Sequence, residues 1–406
     1  MRDICHERGF VFIVPFLFCV MATAFVLFGS TGDLVKKKVL PALVSLSAPA
    51  VTVIAVGRKE FSTQQYRDFI GLSDDALLDL QYVQADVSES ESLIALSTVL
   101  HAYDTRIFYV ATGYTFFTPI VAGIERFGLH ICDDVKVVFE KPFGVDGLSA
   151  RTLDARLKQV FTEEQLFRID HYLAKEQVHA LVKRKMTDQV FEERLFAGHV
   201  AKITLRAHES AGVGERLSYY HTTGALKDMI QNHLLQVLSL ILLKTPRVED
   251  AETMHDAKDA VLESLSLGKP EEQRLGQYAS YPSEVQKAGL PARATETFAR
   301  VTVYSSLPRW EGVPLVLETG KKMPERYAAI IILYRDGSEE KMVINPLGET
   351  KHGDGYAFLL QELLQGKREW FAREDEILEG WRLVDELERM KQTIRFTLYP
   401  DGMLPL

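Results

Sequence analysis

The residues Gly29-Ser30-Thr31-Gly32-Asp33-Leu34 follow an apolar run and precede Lys36, Lys37 and Lys38. Glycines at such a turn let backbone N–H groups approach a pyrophosphate, and a helix opening behind it adds its positive end. The spacing falls short of a full G-x-G-x-x-G, so a plain strand-to-helix turn fits it too. Gly57-Arg58 closes the next apolar run. A dinucleotide fold usually holds an acid there for the adenosine ribose; a guanidinium suits a 2′-phosphate and predicts NADP over NAD. A solvated surface arginine is the other reading. Glu140-Lys141-Pro142-Phe143-Gly144 ends a further buried run, where Lys141 can reach a sugar hydroxyl; a plain exposed turn is the other reading.

Arg168-Ile169-Asp170-His171-Tyr172-Leu173-Ala174-Lys175-Glu176 gathers an acid, an imidazole, a phenol and an ammonium. His171 and Lys175, four apart, would share one face of a helix and could hold a phosphate dianion. An exposed, charged helix start would look the same. His233 lies in ALKDMIQNHLLQ, where a polar helix start becomes apolar. Taken alone it fits a satisfied core histidine better than a base, and Asp228, five residues earlier, falls off its α-helical face.

These groups need a frame. Strand, turn and helix fit residues 24–46, with further strands at 51–58, 81–87, 106–112 and 136–144. An amphipathic helix from Ser62 to Ile70 starts with Ser62 as its cap. Strands alternating with helices imply a parallel, doubly wound sheet. That pattern fades near residue 170. Beyond it, 201–210, 296–304 and 328–337 alternate or run apolar with few crossover helices. A long helix fits 225–243, apolar on most faces and therefore core, and an amphipathic one fits 374–390. The fold class expected is an α/β, Rossmann-like dinucleotide-binding domain (21–170) and an α+β substrate-binding and dimerisation domain (171–406) with a mainly antiparallel sheet.

The chain has 406 residues, 47% hydrophobic and 25% charged, an ordinary composition for a soluble globular protein. Its net charge of -9 argues against a nucleic-acid partner, which would want a basic face. Cys5, Cys19 and Cys132 are scattered and lack metal-ligand spacing, so a reducing, cytoplasmic setting with no metal is expected. Gly9 to Gly32 carries no charged side chain and is long enough to span a bilayer. Against a membrane anchor, Thr23 to Phe28 reads as a buried parallel strand. Met21 is then the expected native start, and residues 1–20 an extension.

Taken together, GSTGDL, EKPFG, RIDHYLAKE and DMIQNH resemble glucose-6-phosphate dehydrogenase in order and separation. The likeness continues through TETFARVTVY, RWEGVPLVLETGKKMP and EDEILEGWRLVD, from about residue 22 to 390. RIDHYL-x-KE is highly specific to that family, whereas EKP is shared with other sugar oxidoreductases. The resemblance implies NADP-linked oxidation of D-glucose 6-phosphate to 6-phospho-D-glucono-1,5-lactone, opening the oxidative pentose phosphate pathway, in a cytoplasmic homodimer. It implies His233 as the base for the C1 hydroxyl and Asp170 as its orienting partner. His171, Tyr172 and Lys175 would hold the 6-phosphate, and Glu209, Asp228 and Lys321 the sugar hydroxyls. Lys141 would stand where sugar and coenzyme meet. Gly29, Thr31, Gly32, Asp33 and Leu34 fall at the coenzyme turn, with Lys38 just inside and Arg58 on the 2′-phosphate. A related sugar oxidoreductase and a catalytically silent NADP-binding protein are the alternatives.

The sequence also departs from the family pattern. Ala174 replaces a glycine, Val35 an alanine, and Glu318 an arginine beside Lys321. VATGY (110–114) stands in place of an L-A-L-P-P-like stretch. The segment 336–356 and the tail after Trp381 are short, which gives little support to a second, structural NADP site and trims the sheet of the usual dimer interface.

Overall fold

The computed structural model describes residues 22–46, 51–73, 78–246, 250–345 and 354–405. Residues 1–20, Met21 and the expectations placed on them lie outside this set. Among the described residues no helix is long and apolar enough to cross a membrane.

Strands β1 (Thr23–Phe28), β2 (Val51–Gly57), β3 (Asp79–Gln84), β4 (Thr105–Val110), β5 (Asp134–Phe139) and β6 (Leu166–Arg168) form one parallel sheet. Their order is β3-β2-β1-β4-β5-β6. Helices cover both faces of such a sheet, which is why β4 is buried at every position. The chain runs outward from β1 to β3 and returns beside β1 as β4, so a crevice opens at the carboxyl ends of β1 and β4. Three strands close earlier than their apolar runs predict, at Gln84, Val110 and Phe139. After β3, Asp86 Oδ1 accepts the Ser88 N–H at 3.0 Å, a side-chain turn that competes with the ladder. Ser62 caps helix Thr63–Ile70 as expected: its Oγ accepts the Gln65 N–H at 3.2 Å, and Gln65 Oε1 accepts the Ser62 N–H at 2.7 Å.

The second sheet contains β7 (Val200–His208), β8 (Leu265–Leu267), β9 (Arg274–Tyr278), β10 (Phe298–Ser305), β11 (Leu315–Gly320), β12 (Tyr327–Tyr334), β13 (Glu339–Asn345) and β14 (Arg395–Tyr399). Its order is β13-β12-β7-β11-β10-β9-β14, with β8 on β10. The β7–β11 and β9–β14 pairs are parallel and the rest antiparallel, so the sheet is mixed but mainly antiparallel.

One central helix packs on this sheet: π-helical from Leu226 to Leu234, then α-helical from Leu235 to Leu242. Every residue from Leu235 to Leu242 is buried, in one core with Ile203, Leu205, Val301 and Ile330. At about 2 kcal/mol per buried leucine, packing rather than helix propensity holds this segment. Helix Glu374–Met390 ties the two layers together, its Trp381 Nε1–H donating to the Phe143 carbonyl at 2.9 Å. Helix Asp354–Leu364 folds back onto the first layer, where Leu359, Leu360 and Leu363 pack with Phe25, Val35 and Val39.

Candidate active site

At the carboxyl end of β1, Gly29 takes φ +76°. A Cβ there would lie 2.8 Å from the Ala111 carbonyl oxygen and 3.0 Å from Thr112 Cγ2. Only glycine fits. Gly32 N–H donates to the Gly29 oxygen at 3.0 Å, closing the turn from which Val35–Val39 departs as a π-helical turn. Thr31 and Leu34 are half-buried, and Gly32 and Asp33 are exposed. The Asp33 carboxylate pairs with Lys37 at 2.9 Å on the outside. Lys38 is half-buried, which lowers its ammonium pKa, and Arg58 stands exposed beyond β2. Two buried hydroxyl oxygens beside this turn, Ser30 Oγ and Thr112 Oγ1, have no hydrogen-bond partner. A glycine cradle, orphaned hydroxyls and the β1/β4 crevice together fit a dinucleotide, whose oxygens would satisfy the hydroxyls.

Across from it, Asp170 follows β6 and is 3% exposed, while His233 in the π-helical stretch is 0% exposed. His233 Nδ1 and Asp170 Oδ1 are 2.5 Å apart. On the other ring nitrogen, the Lys141 ammonium donates to His233 Nε2 at 2.8 Å. The same ammonium donates to the Asp228 carbonyl at 2.8 Å and approaches its Oδ1 at 3.4 Å. Asp228 therefore does share a face with His233, contrary to the α-helical expectation. In a π-helix the hydrogen bonds run i→i+5, so residues five apart sit one turn apart.

A second expectation also fails. Residues 171–174 form a turn and the helix begins at Glu176, so His171 and Lys175 share no helix face. The cause is local: Asp170 Oδ1 accepts the Tyr172 N–H at 2.9 Å, winding the chain into a turn. That turn still brings both residues to one cavity. Tyr172 stacks on the His233 ring with centroids 4.6 Å apart, and His171 meets it edge-on at 4.1 Å.

The cavity holds about 360 Å³ and is lined by Lys141, His171, Tyr172, Lys175, Glu209, Asp228 and His233 among others. Lys321, behind it, binds the Glu209 carboxylate. Burial and the Lys141 charge push the His233 pKa well down, so the ring is neutral. His171 is exposed at the cavity mouth, yet the protein around its ring, with the His233 and Lys141 charges, holds its pKa down as well. Burial raises Asp170. For Asp228, burial opposes ionisation, but Lys141, Arg216 and Lys321 outweigh it and hold the carboxyl below its usual range.

Arg326, Arg216 and His208 also line the cavity and stand outside the motifs. Arg326 lies five residues after Lys321 in GKKMPER, a legible neighbour; Arg216 carries no local signal. Glu318 explains its own departure. Fully enclosed, it accepts from Arg206 Nε at 2.8 Å and Arg300 Nε at 2.5 Å and lies 2.9 Å from His208 Nε2. Burial would raise its pKa, yet these partners hold it at about 2. The Ala174 methyl is buried and faces Gly355, where a Cβ would come within 3.2 Å; the missing Cβ at 355 makes room for it.

The comparisons with known proteins agree with this geometry. A family model described as the NAD binding domain of glucose-6-phosphate dehydrogenase matches residues 26–180, and that of its C-terminal domain matches 182–351. The glucose-6-phosphate 1-dehydrogenase of Mycolicibacterium smegmatis is 35% identical over 351 residues, covering 77% of this chain and 70% of the relative. That of Borreliella burgdorferi is 34% identical over 340 residues, covering 77% and 71%. A solved glucose-6-phosphate dehydrogenase in complex with its substrate glucose-6-phosphate superposes with a TM-score of 0.86 at 26% identity, covering 94% of this chain and 95% of that one. By both sequence and fold, the chain belongs to the glucose-6-phosphate dehydrogenase family.

Proposed function

We propose that this protein oxidises D-glucose 6-phosphate to 6-phospho-D-glucono-1,5-lactone and reduces NADP, the first step of the oxidative pentose phosphate pathway. One observation carries the reading: His233, backed by Asp170 at Nδ1, lines with Lys141, Lys175, Arg216 and Arg326 one cavity beside a dinucleotide crevice. His233 takes the proton of the C1 hydroxyl. Asp170 orients the ring through Nδ1 and stabilises the imidazolium that forms. Lys141 gives up His233 Nε2 to the arriving hydroxyl. His171, Tyr172, Lys175 and Arg326 hold the 6-phosphate, and Glu209, Asp228 and Lys321 bind sugar hydroxyls. NADP, when bound, accepts the C1 hydride. Gly29, Thr31, Gly32, Asp33, Leu34 and Lys38 form its diphosphate side and Arg58 takes its 2′-phosphate.

The test is an absorbance assay of coenzyme reduction with glucose 6-phosphate or glucose and with NADP or NAD. Turnover is expected only with the phosphorylated sugar and preferentially with NADP. His233→Asn should abolish it while the sugar phosphate still binds. Equal rates on free glucose point to another sugar oxidoreductase, and no turnover at all to a silent binding protein.

In this reading residues 21–170 carry the coenzyme and 171–406 the sugar. We assign a homodimer formed through the outer face of the second sheet. Tyr304, Val316, Ile331 and Leu333 alternate there with core residues and stay half-exposed, which supports a partner. Sedimentation equilibrium tests it; a monomer at assay concentration refutes it. The scattered cysteines support a cytoplasmic location, to be checked by cell fractionation.

A further inference from the structure

The central helix does not set its register alone. Just before it, Gly224 adopts φ +62°. A Cβ there would fall 2.2 Å from Glu296 Oε1. The side chain of Glu296, 1% exposed, thus occupies the space that any other residue at 224 would fill. From that place the Glu296 carbonyl accepts the Ala225 N–H at 2.9 Å and its Oε1 accepts the Leu226 N–H at 3.2 Å. Its Oε2 accepts from the Lys391 ammonium at 2.6 Å. The next residue anchors the sugar side: the Thr297 carbonyl accepts the Lys321 N–H at 2.9 Å. One short segment therefore fixes both the start of the base-bearing helix and the backbone of Lys321.

These contacts bear on register. A helix leaves its first N–H groups without internal partners, and a carboxylate there satisfies them and suits the helix dipole. Those N–H groups would be free in an α- or a π-helix alike, but an α-helix of the same residues takes up more turns and more length. With Ala225 and Leu226 tied to residue 296 at one end and Leu235–Leu242 buried in the core at the other, the segment cannot rewind without breaking that tie. Rewound as an α-helix, the segment would carry Asp228 about 140° around the axis from His233. We propose that Glu296 is a positioning residue for the dehydrogenation: its carboxylate, seated where Gly224 leaves room, holds the π register that puts Asp228 and His233 on one face. The proposal rests on the function given above, with His233 as base.

The test compares E296A, E296D and E296Q. Each variant is assayed for kcat against pH below its melting temperature, and its His233 ring is titrated by NMR of isotope-labelled histidine. E296A should lose about tenfold in kcat, because the base and its neighbours shift by a fraction of a turn. The His233 titration and the acid limb of kcat should both move to lower pH, because a rotated Asp228 no longer favours the imidazolium. E296D, whose shorter side chain withdraws from Leu226 while keeping its charge, should shift the same way and serves if E296A does not fold. E296Q keeps the acceptor and should stay within about threefold of the native kcat. A folded E296A or E296D with native kcat and native His233 titration overturns the proposal, as does an E296Q that loses as much as E296A. The NMR titration judges Glu296 even if glucose 6-phosphate is not the substrate, so the two readings fail separately.

Discussion

Asp228 and His233 meet the same ammonium: Lys141 Nζ lies 2.8 Å from the Asp228 carbonyl oxygen and 2.8 Å from His233 Nε2. In the proposed mechanism the base is thus capped by a cation until a hydroxyl replaces it, and that cation helps hold the His233 pKa down. Lys141→Met removes the charge. The His233 pKa then rises, so the acid limb of the kcat/KM profile should move to higher pH. An unmoved limb would show that the Lys141 field does not reach the base.

In the proposed mechanism Asp170 orients the base. Its Oδ1 takes both the Tyr172 N–H and the His233 contact. Asp170→Asn preserves shape but can donate, which favours the wrong tautomer. Turnover should fall about 10²-fold or more, while the dissociation constant for glucose 6-phosphate, read by calorimetry, stays near native. A loss in binding with turnover intact would remove Asp170 from the dyad.

In the proposed mechanism the phosphate end is separable from the base. Lys175→Ala and Arg326→Ala each delete one cation from the cavity wall. Each should raise the KM for glucose 6-phosphate about tenfold, the weight of one charge-assisted hydrogen bond, and leave the KM for NADP unchanged. Equal effects on both substrates would put these residues elsewhere.

Thr112 is special to this chain's VATGY loop. Its Oγ1 is buried without a partner and its Cγ2 sits against Gly29, so a turn about χ1 would aim the hydroxyl at the crevice. An unsatisfied buried hydroxyl costs free energy that a coenzyme oxygen can offset. Thr112→Val should therefore weaken NADP binding about fivefold, measured by fluorescence titration without turnover, and leave sugar binding alone. Native affinity would mean the hydroxyl stays idle when NADP binds.

The elements most legible in the sequence were those whose signal is local. Helix Glu374–Met390 matches its expected bounds because acids crowd its first turn and apolar residues recur along one face. The β1 turn was legible because positive φ demands glycine at 29. The face shared by Asp228 and His233 was not, since the π register depends on Glu296, seventy residues away in sequence. The turn at 171–174 was missed because one side-chain acceptor, Asp170, outcompeted helix periodicity. Glu318 reads in the sequence only as a departure from the family pattern beside Lys321. Only the sheet register, which sets Arg206 and Arg300 on either side of it, reveals its partners.

A buried ion cluster away from the cavity floor sets an acid limit on the fold. Glu376 is 1% exposed and accepts from Lys258 Nζ at 2.7 Å, with His255 Nδ1 also 2.7 Å away. Burial alone would raise its pKa, but Lys258 and His255 hold it at about 2, against 4.5 unfolded. A carboxyl whose folded pKa is depressed adds stability that is fully present above its unfolded pKa. That stability drains away as pH falls from about 4.5 to about 2, an effect of about 3 kcal/mol. Glu376→Gln lacks the titrating group. Its unfolding free energy should sit below native at neutral pH, because Lys258 loses its counter-charge. The gap should close as pH falls through that window. Chemical denaturation at stepped pH reads the difference directly, and parallel curves for the two proteins would mean that Glu376 is not ionised in the fold.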